Sequence, residues 1–303
     1  MTIALHKEDS LSVVIIDSGM GGLSICAESV NLLKQRRSFK KVRIVYFNAW
    51  PEQNRGYNRL GNDAERVRVF DNVLSTVESL KPDIILIACN TLSILYPKTQ
   101  FSKESRIPVV GIVEFGVKIV HEHLNRNPEH LAIILGTLTT VNSEVHKKML
   151  VEAGIAQERI ISQACDQLAT RIESGPESEA VDQMINGFIR EAAEKTGNPN
   201  SSGYAVLCCT HFGYARNLFS KWLATHFHGD YSIINPNQAM SEYLANLFKE
   251  DQVKETQVEL SVLSRIVWDE VKIMSIAGVL NEISPQTAEA LRNYHQDPEL
   301  FRI

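Results

Sequence analysis

Residues 12–22 read SVVIIDSGMGG. The opening run is β-branched and unbroken by polar residues, the pattern of a strand covered on both faces. Asp17 to Gly22 follow it at once. The glycines allow a sharp turn and close approach of the backbone, and a helix starting after them offers unpaired N–H groups to an anion. The stretch is not a dinucleotide fingerprint: it lacks the GxGxxG spacing, and no acidic residue closes the second strand region. A plain strand-to-helix turn capped by Ser18 is the competing reading.

Outward from this stretch the chain keeps alternating short apolar runs with helical patterns. Strands are predicted at 12–16, 42–47, 83–88, 108–112, 131–135, 158–161, 204–208 and 231–234. Helices are predicted around 22–36, 61–80, 114–126, 141–153, 165–174, 178–195, 212–226 and 237–249. Such alternation implies parallel strands joined by crossovers, an α/β fold. An internal echo is visible. DSGMGG (17–22) and CNT (89–91) each follow a strand in the first half; GTLTT (136–140) and CTH (209–211) do so in the second. Open α/β sheets place ligands at such strand ends. The expectation is two pseudo-symmetric domains, each a mostly parallel sheet flanked by helices, with the active site in the cleft between them. Residues 1–114 and 216–303 form the first domain, and 115–215 the second. GNPNSSGY (197–204) is too short for a linker and reads as a loop before a strand.

The composition is that of a soluble globular chain: 303 residues, 44% hydrophobic, with net charge −5. The mild acidity argues against a nucleic-acid partner, since phosphate binding needs a basic surface. The N-terminus MTIALHKEDS lacks a signal-peptide core, and the apolar runs are too short to span a bilayer. No membrane role is expected. Cys26, Cys89, Cys165, Cys208 and Cys209 form neither CxxC pairs nor a disulfide framework, so free thiols in the cytoplasm are expected, and no zinc-type spacing suggests a metal.

The chemistry is concentrated at the strand ends. Cys89-Asn90-Thr91 follows IILIA, and a thiol at a helix start is favoured as thiolate. Asn90 and Thr91 either cap that helix or hold a substrate. Cys209-Thr210-His211 repeats the arrangement with an imidazole that can take, give or orient a proton. Cys208 alternates away from Cys209 and points into the core. Any single cysteine is ordinarily a small buried apolar residue; two in matching positions point further. Thr137 and Thr140, with Ser143 a turn later, form a hydroxyl cluster suited to a carboxylate, alongside capping by Thr139 or Thr140. Glu173 lies at a predicted helix end, where a carboxylate is disfavoured by the dipole; its ordinary reading is a surface glutamate.

Together VIIDSGMGGLSI (14–25), IACNTLS (87–93), VVGIVE (109–114), ILGTLTTVNSEVH (134–146) and LCCTHFGY (207–214) resemble the aspartate/glutamate racemase family. ACDQLATRIESG (164–175) is similar to the family segment that carries an acidic residue before a glycine. The resemblance runs from about residue 12 to 245. It implies an isomerase that racemises a small amino acid without cofactor or metal, and a D-amino acid supply for cell-wall peptidoglycan. It makes Cys89 and Cys209 the paired acid and base. Asp17 lies beside the first cysteine, and His211 and Glu173 assist the second. Ser18, Asn90, Thr91, Thr137, Thr140, Thr210 and Gly56 bind substrate. The chemistry agrees: an α-proton is a weak acid, no lysine motif for pyridoxal phosphate is present, and inversion needs proton transfer on opposite faces.

Departures bear on the substrate. The family's Pro-Tyr-Gly loop is replaced by FNAWPEQNRGYNRLG (47–61), in which Gly56 is kept and Arg55 or Arg59 offers an anion contact. Leu92 stands for a small residue, and Gly213-Tyr214 for Pro-Leu. The altered loop leaves open a sister reaction (hydantoin racemisation, maleate isomerisation or decarboxylation) or a non-catalytic binding protein. Beyond 250, residues 257–266 read as a strand and 268–280 and 285–296 as helices. The last would pack on its own domain or on a partner, which leaves a homodimer open.

Overall fold

The computed structural model describes residues 10–247 and 253–303; the first nine residues of MTIALHKEDS and the end of the expected 237–249 helix lie outside them. The chain divides into two compact units, Met1–Ile112 with Asn237–Ile303, and Val113–Pro236.

In the first unit the strands are β1 (Ser10–Asp17), β2 (Lys41–Asn48), β3 (Ile84–Ile87), β4 (Val109–Gly111), β9 (Gln257–Ser264) and β10 (His295–Gln296). Their order is β10-β9-β2-β1-β3-β4, and every pairing is parallel. In the second unit β5 (Leu131–Gly136), β6 (Ile160–Ala164), β7 (Gly203–Cys208) and β8 (Tyr231–Ile234) lie in the order β6-β5-β7-β8, again all parallel. The unbroken apolar runs are explained by this: Val13–Ile16 and Ile84–Ile87 are fully buried, as strands with covered faces must be.

Helices α1 (Leu23–Arg36), α2 (Asp63–Ser79), α3 (Asn90–Leu95), α4 (Phe101–Glu104), α5 (Ile112–Arg126), α6 (Leu138–Asn142) and α7 (Val145–Glu152) follow in turn. Then come α8 (Leu168–Ser174), α9 (Glu179–Thr196), α10 (Arg216–His226), α11 (Pro236–Ala245), α12 (Glu270–Ile283) and α13 (Pro285–Arg292). Local chemistry sets several ends. Asn62 accepts from the Glu65 N–H at the start of α2, Ser178 from Val181 at α9, and Ser284 from Thr287 at α13, where Pro285 takes the first helical position. None of the helices among the described residues is long and apolar enough to cross a membrane.

The structure departs from the expected elements at several points. The helix expected over 141–153 is two, α6 and α7, broken where Glu144 takes a left-handed φ of 55°. The helix expected at 285–296 stops at Arg292, and His295–Gln296 pairs with β9 instead. The expected boundary between 215 and 216 comes too early, because β8 pairs with β7 and α10 packs on α9; the chain returns to the first unit at Asn237, whose Nδ2 donates to Ser24 Oγ at 3.0 Å. The tail from 257 packs within the first unit, the first of the two places considered for it. β9 extends the sheet beside β2, Ala288 and Leu291 of α13 are fully buried, and Phe301 packs against Phe47 at 6.0 Å between ring centroids.

Candidate active site

Both sheets have the same internal order. The unit's first strand sits in the middle, the second lies on one side and the third on the other. The chain therefore reverses its direction of winding between β1 and β3, and again between β5 and β7. The crevice beyond the carboxyl ends of such a strand pair is where open α/β sheets bind ligands. DSGMGG follows β1 and Cys89 follows β3; Thr137 follows β5 and Cys209 follows β7.

In the first unit Ile16 pairs with Ile87, so the residues just past these strands meet. Ser18 Oγ and Cys89 Sγ are 3.1 Å apart and hydrogen-bonded. Asp17 is 1% exposed, and its Oδ1 accepts the Ser18 N–H at 2.6 Å. Gly22 is required by this packing: a Cβ there would stand 2.7 Å from Asp17 Oδ2 and 3.0 Å from Ala88 Cβ. Ser18 is thus committed to the thiol and does not cap α1, whose cap position is Gly22. Cys89 is itself the cap residue of α3, and Asn90 and Thr91, both buried, are its first two helical residues, so neither side chain plays the capping part considered above.

In the second unit Gly136 pairs with Cys208, which brings Thr137 and Cys209 to neighbouring strand ends. Thr137 caps α6: its Oγ1 accepts the Thr140 N–H at 3.3 Å and donates to Thr140 Oγ1 at 3.1 Å. The cap expected at Thr139 or Thr140 therefore falls at Thr137. Thr210 and Thr140 are buried.

Cys209 is followed by a 3₁₀ turn (Thr210–Ala215), and α10 begins only at Arg216. The expected helix over 212–226 therefore starts late. In place of an α-helix end, Cys209 has an imidazole. Its Sγ lies 3.7 Å from His211 Nδ1, and His211 Nε2 lies 2.9 Å from Glu173 Oε1. Burial taken alone would lower the His211 pKa. The hydrogen bonds to Cys209 and Glu173 and their negative charges outweigh it and hold the ring well above the ordinary histidine value. With the ring protonated, Nε2–H donates to Glu173 and Nδ1–H points toward Cys209. Glu173 is accordingly not a surface residue; it is 8% exposed inside this chain of contacts.

The remaining cysteines lie apart from this chemistry. Cys26, Cys165 and Cys208 are buried, and burial pushes each thiol well up. Cys165 and Cys208 also feel the charge of Cys209. Among the described residues no group of three or more His, Cys, Asp or Glu side chains is placed to hold a metal ion.

The loop 47–61 is tied to α2 and to itself. Arg55 binds Glu65 through two contacts of 3.0 and 3.1 Å and reaches Glu52 at 3.5 Å. Arg55 is thus engaged by carboxylates of the chain, and Arg59 is exposed. Gly56 lies under the Trp50 ring, where a Cβ would be 2.5 Å from Cη2. Tyr57, overlooked in the sequence, is buried in the same apolar cluster as Cys89. The only signal for it was an aromatic residue directly after the retained glycine.

The chain is similar to known racemases. The glutamate racemase of Aquifex pyrophilus is 27% identical over 242 residues, covering 80% of this chain and 85% of that protein. That of Brucella anthropi is 28% identical over 213 residues, covering 69% and 70%. The solved glutamate racemase from Campylobacter jejuni subsp. jejuni superposes with a TM-score of 0.66 at 20% identity, covering 90% of this chain and 97% of that one. The model of the Asp/Glu/Hydantoin racemase family matches residues 20–243, a span that contains Cys89, Cys209, His211 and Glu173. With a cysteine at the winding reversal of each sheet and most of its length matched, this chain belongs to the Asp/Glu/hydantoin racemase family.

Proposed function

We propose that this isomerase racemises an acidic amino acid, glutamate before aspartate, with Cys89 and Cys209 as the two proton-transfer groups. The observation that carries the reading is the pair of equipped thiols: Ser18–Cys89 at one winding reversal and Cys209–His211–Glu173 at the other. One cysteine as thiolate removes the α-proton, and the other as thiol returns a proton to the opposite face. The roles exchange with the handedness of the substrate. The imidazolium of His211 places positive charge where the Cys209 thiolate forms, and Glu173 keeps the ring oriented and charged. Asp17 fixes Ser18 on the other side. Asn90, Thr91, Thr137, Thr140 and Thr210, with backbone N–H groups at the strand ends and Gly56 in the loop, bind the amino and carboxylate groups and stabilise the charge that builds up during deprotonation.

The reaction uses neither cofactor nor metal in this reading. It takes place in the cytoplasm and supplies a D-amino acid for peptidoglycan, and the folded tail leaves a homodimer open. Glutamate is favoured by the curated relatives, which carry that name.

The test is proton NMR in D₂O, with no cofactor added, over the proteinogenic amino acids and hydantoins. The wild-type chain is expected to wash out the α-proton of glutamate, and less readily that of aspartate, with matching loss of optical rotation. Exchange confined to hydantoins would replace the proposed substrate. No exchange with any compound would remove the catalytic reading.

A further inference from the structure

Gly19 follows Ser18, and its carbonyl oxygen takes two side-chain hydrogen bonds at once. The Tyr46 hydroxyl donates to it at 2.6 Å and Asn48 Nδ2 at 3.0 Å. Both residues lie on β2, paired beside β1, and both are fully buried. The backbone adds a further tie, from the Ala49 N–H to the Asp17 carbonyl at 2.7 Å. Asn48 is itself oriented: its Oδ1 accepts the Trp50 N–H at 3.4 Å and faces Ser264 Oγ at 3.2 Å. Ser264 is the last residue of β9. The tail, which lies beyond the resemblance ending near residue 245, thus reaches the turn after β1 through Asn48.

One donor is enough to satisfy a buried carbonyl. Phenylalanine at position 46 would fill the same space and leave Gly19 bonded to Asn48. The phenol oxygen is therefore not needed to satisfy Gly19, and a second donor fixes that carbonyl more narrowly than one does. What it fixes is the segment that carries Ser18. The Ser18 N–H is held by Asp17 Oδ1 at 2.6 Å, and the carbonyl of the next residue is held from β2. Between these anchors the Ser18 hydroxyl meets Cys89 Sγ at 3.1 Å. A group at a reacting centre keeps its geometry when an outer layer of hydrogen bonds locks it, and that layer here is Tyr46, Asn48 and Ser264.

We propose that Tyr46 and Asn48 are positioning residues for Cys89: by holding the Gly19 carbonyl they set the Ser18 hydroxyl against the thiol. The inference rests on the proposed function and goes beyond it, since it assigns a role to side chains that touch neither cysteine and to the tail strand behind them.

The test is Tyr46→Phe, which removes one oxygen and keeps the ring. Turnover of the amino acid that the wild type racemises is expected to fall about 3- to 10-fold, with KM within about twofold, as for loss of the Ser18 hydrogen bond itself. In a Ser18→Ala background the same change is expected to cost nothing further, because it acts through that hydroxyl. A merely structural role would cost the same in both backgrounds; that result, or no loss in either, would overturn the inference. A second readout needs no turnover. The thiolate is the form that iodoacetamide alkylates, so the rate at Cys89 near neutral pH, followed by peptide mass spectrometry, is expected to slow about 3- to 10-fold while Cys209 is unchanged. Unchanged or faster alkylation of Cys89, or equal slowing of both cysteines, would overturn the inference. Should Tyr46→Phe fold poorly, Ser264→Ala carries the same two readouts, with an expected effect of about 2- to 3-fold. If the wild type exchanges no amino acid but Tyr46→Phe slows Cys89 alone, the proposed function fails and the positioning stands.

Discussion

Cys89 and Cys209 follow the third strand of two sheets wound in the same way, yet their neighbours differ in kind. Cys89 is hydrogen-bonded to a neutral hydroxyl, Ser18, which a buried carboxylate holds through its backbone. Cys209 faces an imidazole held charged by Glu173. The shared topology decides where each thiol stands; the side chains around it decide its electrostatics. A charged relay in low dielectric stabilises more than a neutral hydrogen bond does, so the second site has more to lose from a single substitution.

The largest effect expected from a supporting residue is therefore at Glu173. Glu173→Gln keeps the shape but removes the charge that holds His211 protonated. Turnover should fall on the order of 10- to 100-fold, the range for losing a charge-assisted hydrogen bond. The His211 pKa should drop back toward its ordinary value, so the basic limb of the rate profile should move to lower pH. Ser18→Ala is the matched change at the other thiol. It should cost about 3- to 10-fold, as for a neutral hydrogen bond, and leave that limb in place. A pH–rate profile for each variant checks both, and equal shifts in the two would break the comparison.

The smallest effect on rate, none near neutral pH, is expected at His146 in the same unit as Cys209. This histidine is 3% exposed, and burial lowers its pKa from 6.5 to about 4. It is thus the opposite case to His211. Its depressed value adds stability that is present above pH 6.5 and lost as the pH falls toward 4, up to about 3 kcal/mol. The raised value of His211 adds stability that is complete below pH 6.5 and lost only as the pH rises through its folded value. Between pH 6.5 and 4 the His211 contribution is therefore constant. Chemical denaturation across that window should show His146→Leu with a flatter acid decline than the wild type. An identical decline would mean that His146 titrates normally.

Much of this was legible in the sequence. Unbroken runs such as VVII and IILI could only be covered strands, and the residues placed at their ends are those that the structure gathers at the winding reversals. What escaped depended on contacts distant in sequence. Glu173 reads as a surface residue because nothing local shows that His211, 38 positions away, lies 2.9 Å from it. Ser18, Asn90 and Thr139 are good capping types, but Ser18 is taken by Cys89, and caps fall where backbone geometry puts them, at Gly22, Cys89 and Thr137. The boundary error has the same origin: β8 is assigned by its pairing to β7, which its own sequence does not encode. Tyr57 escaped because its burial depends on Phe70, 13 positions away.

The central claim is that two cysteines, unlike in their surroundings, share one proton-transfer task. The most direct test follows α-deuterium incorporation from each enantiomer of glutamate separately, in D₂O, with Cys89→Ala and with Cys209→Ala. The account predicts that each variant loses racemisation by at least about 10³-fold, and that any residual exchange is confined to one enantiomer, the opposite one in the two variants. A Cys89→Ala or Cys209→Ala protein that still interconverts both enantiomers would contradict it.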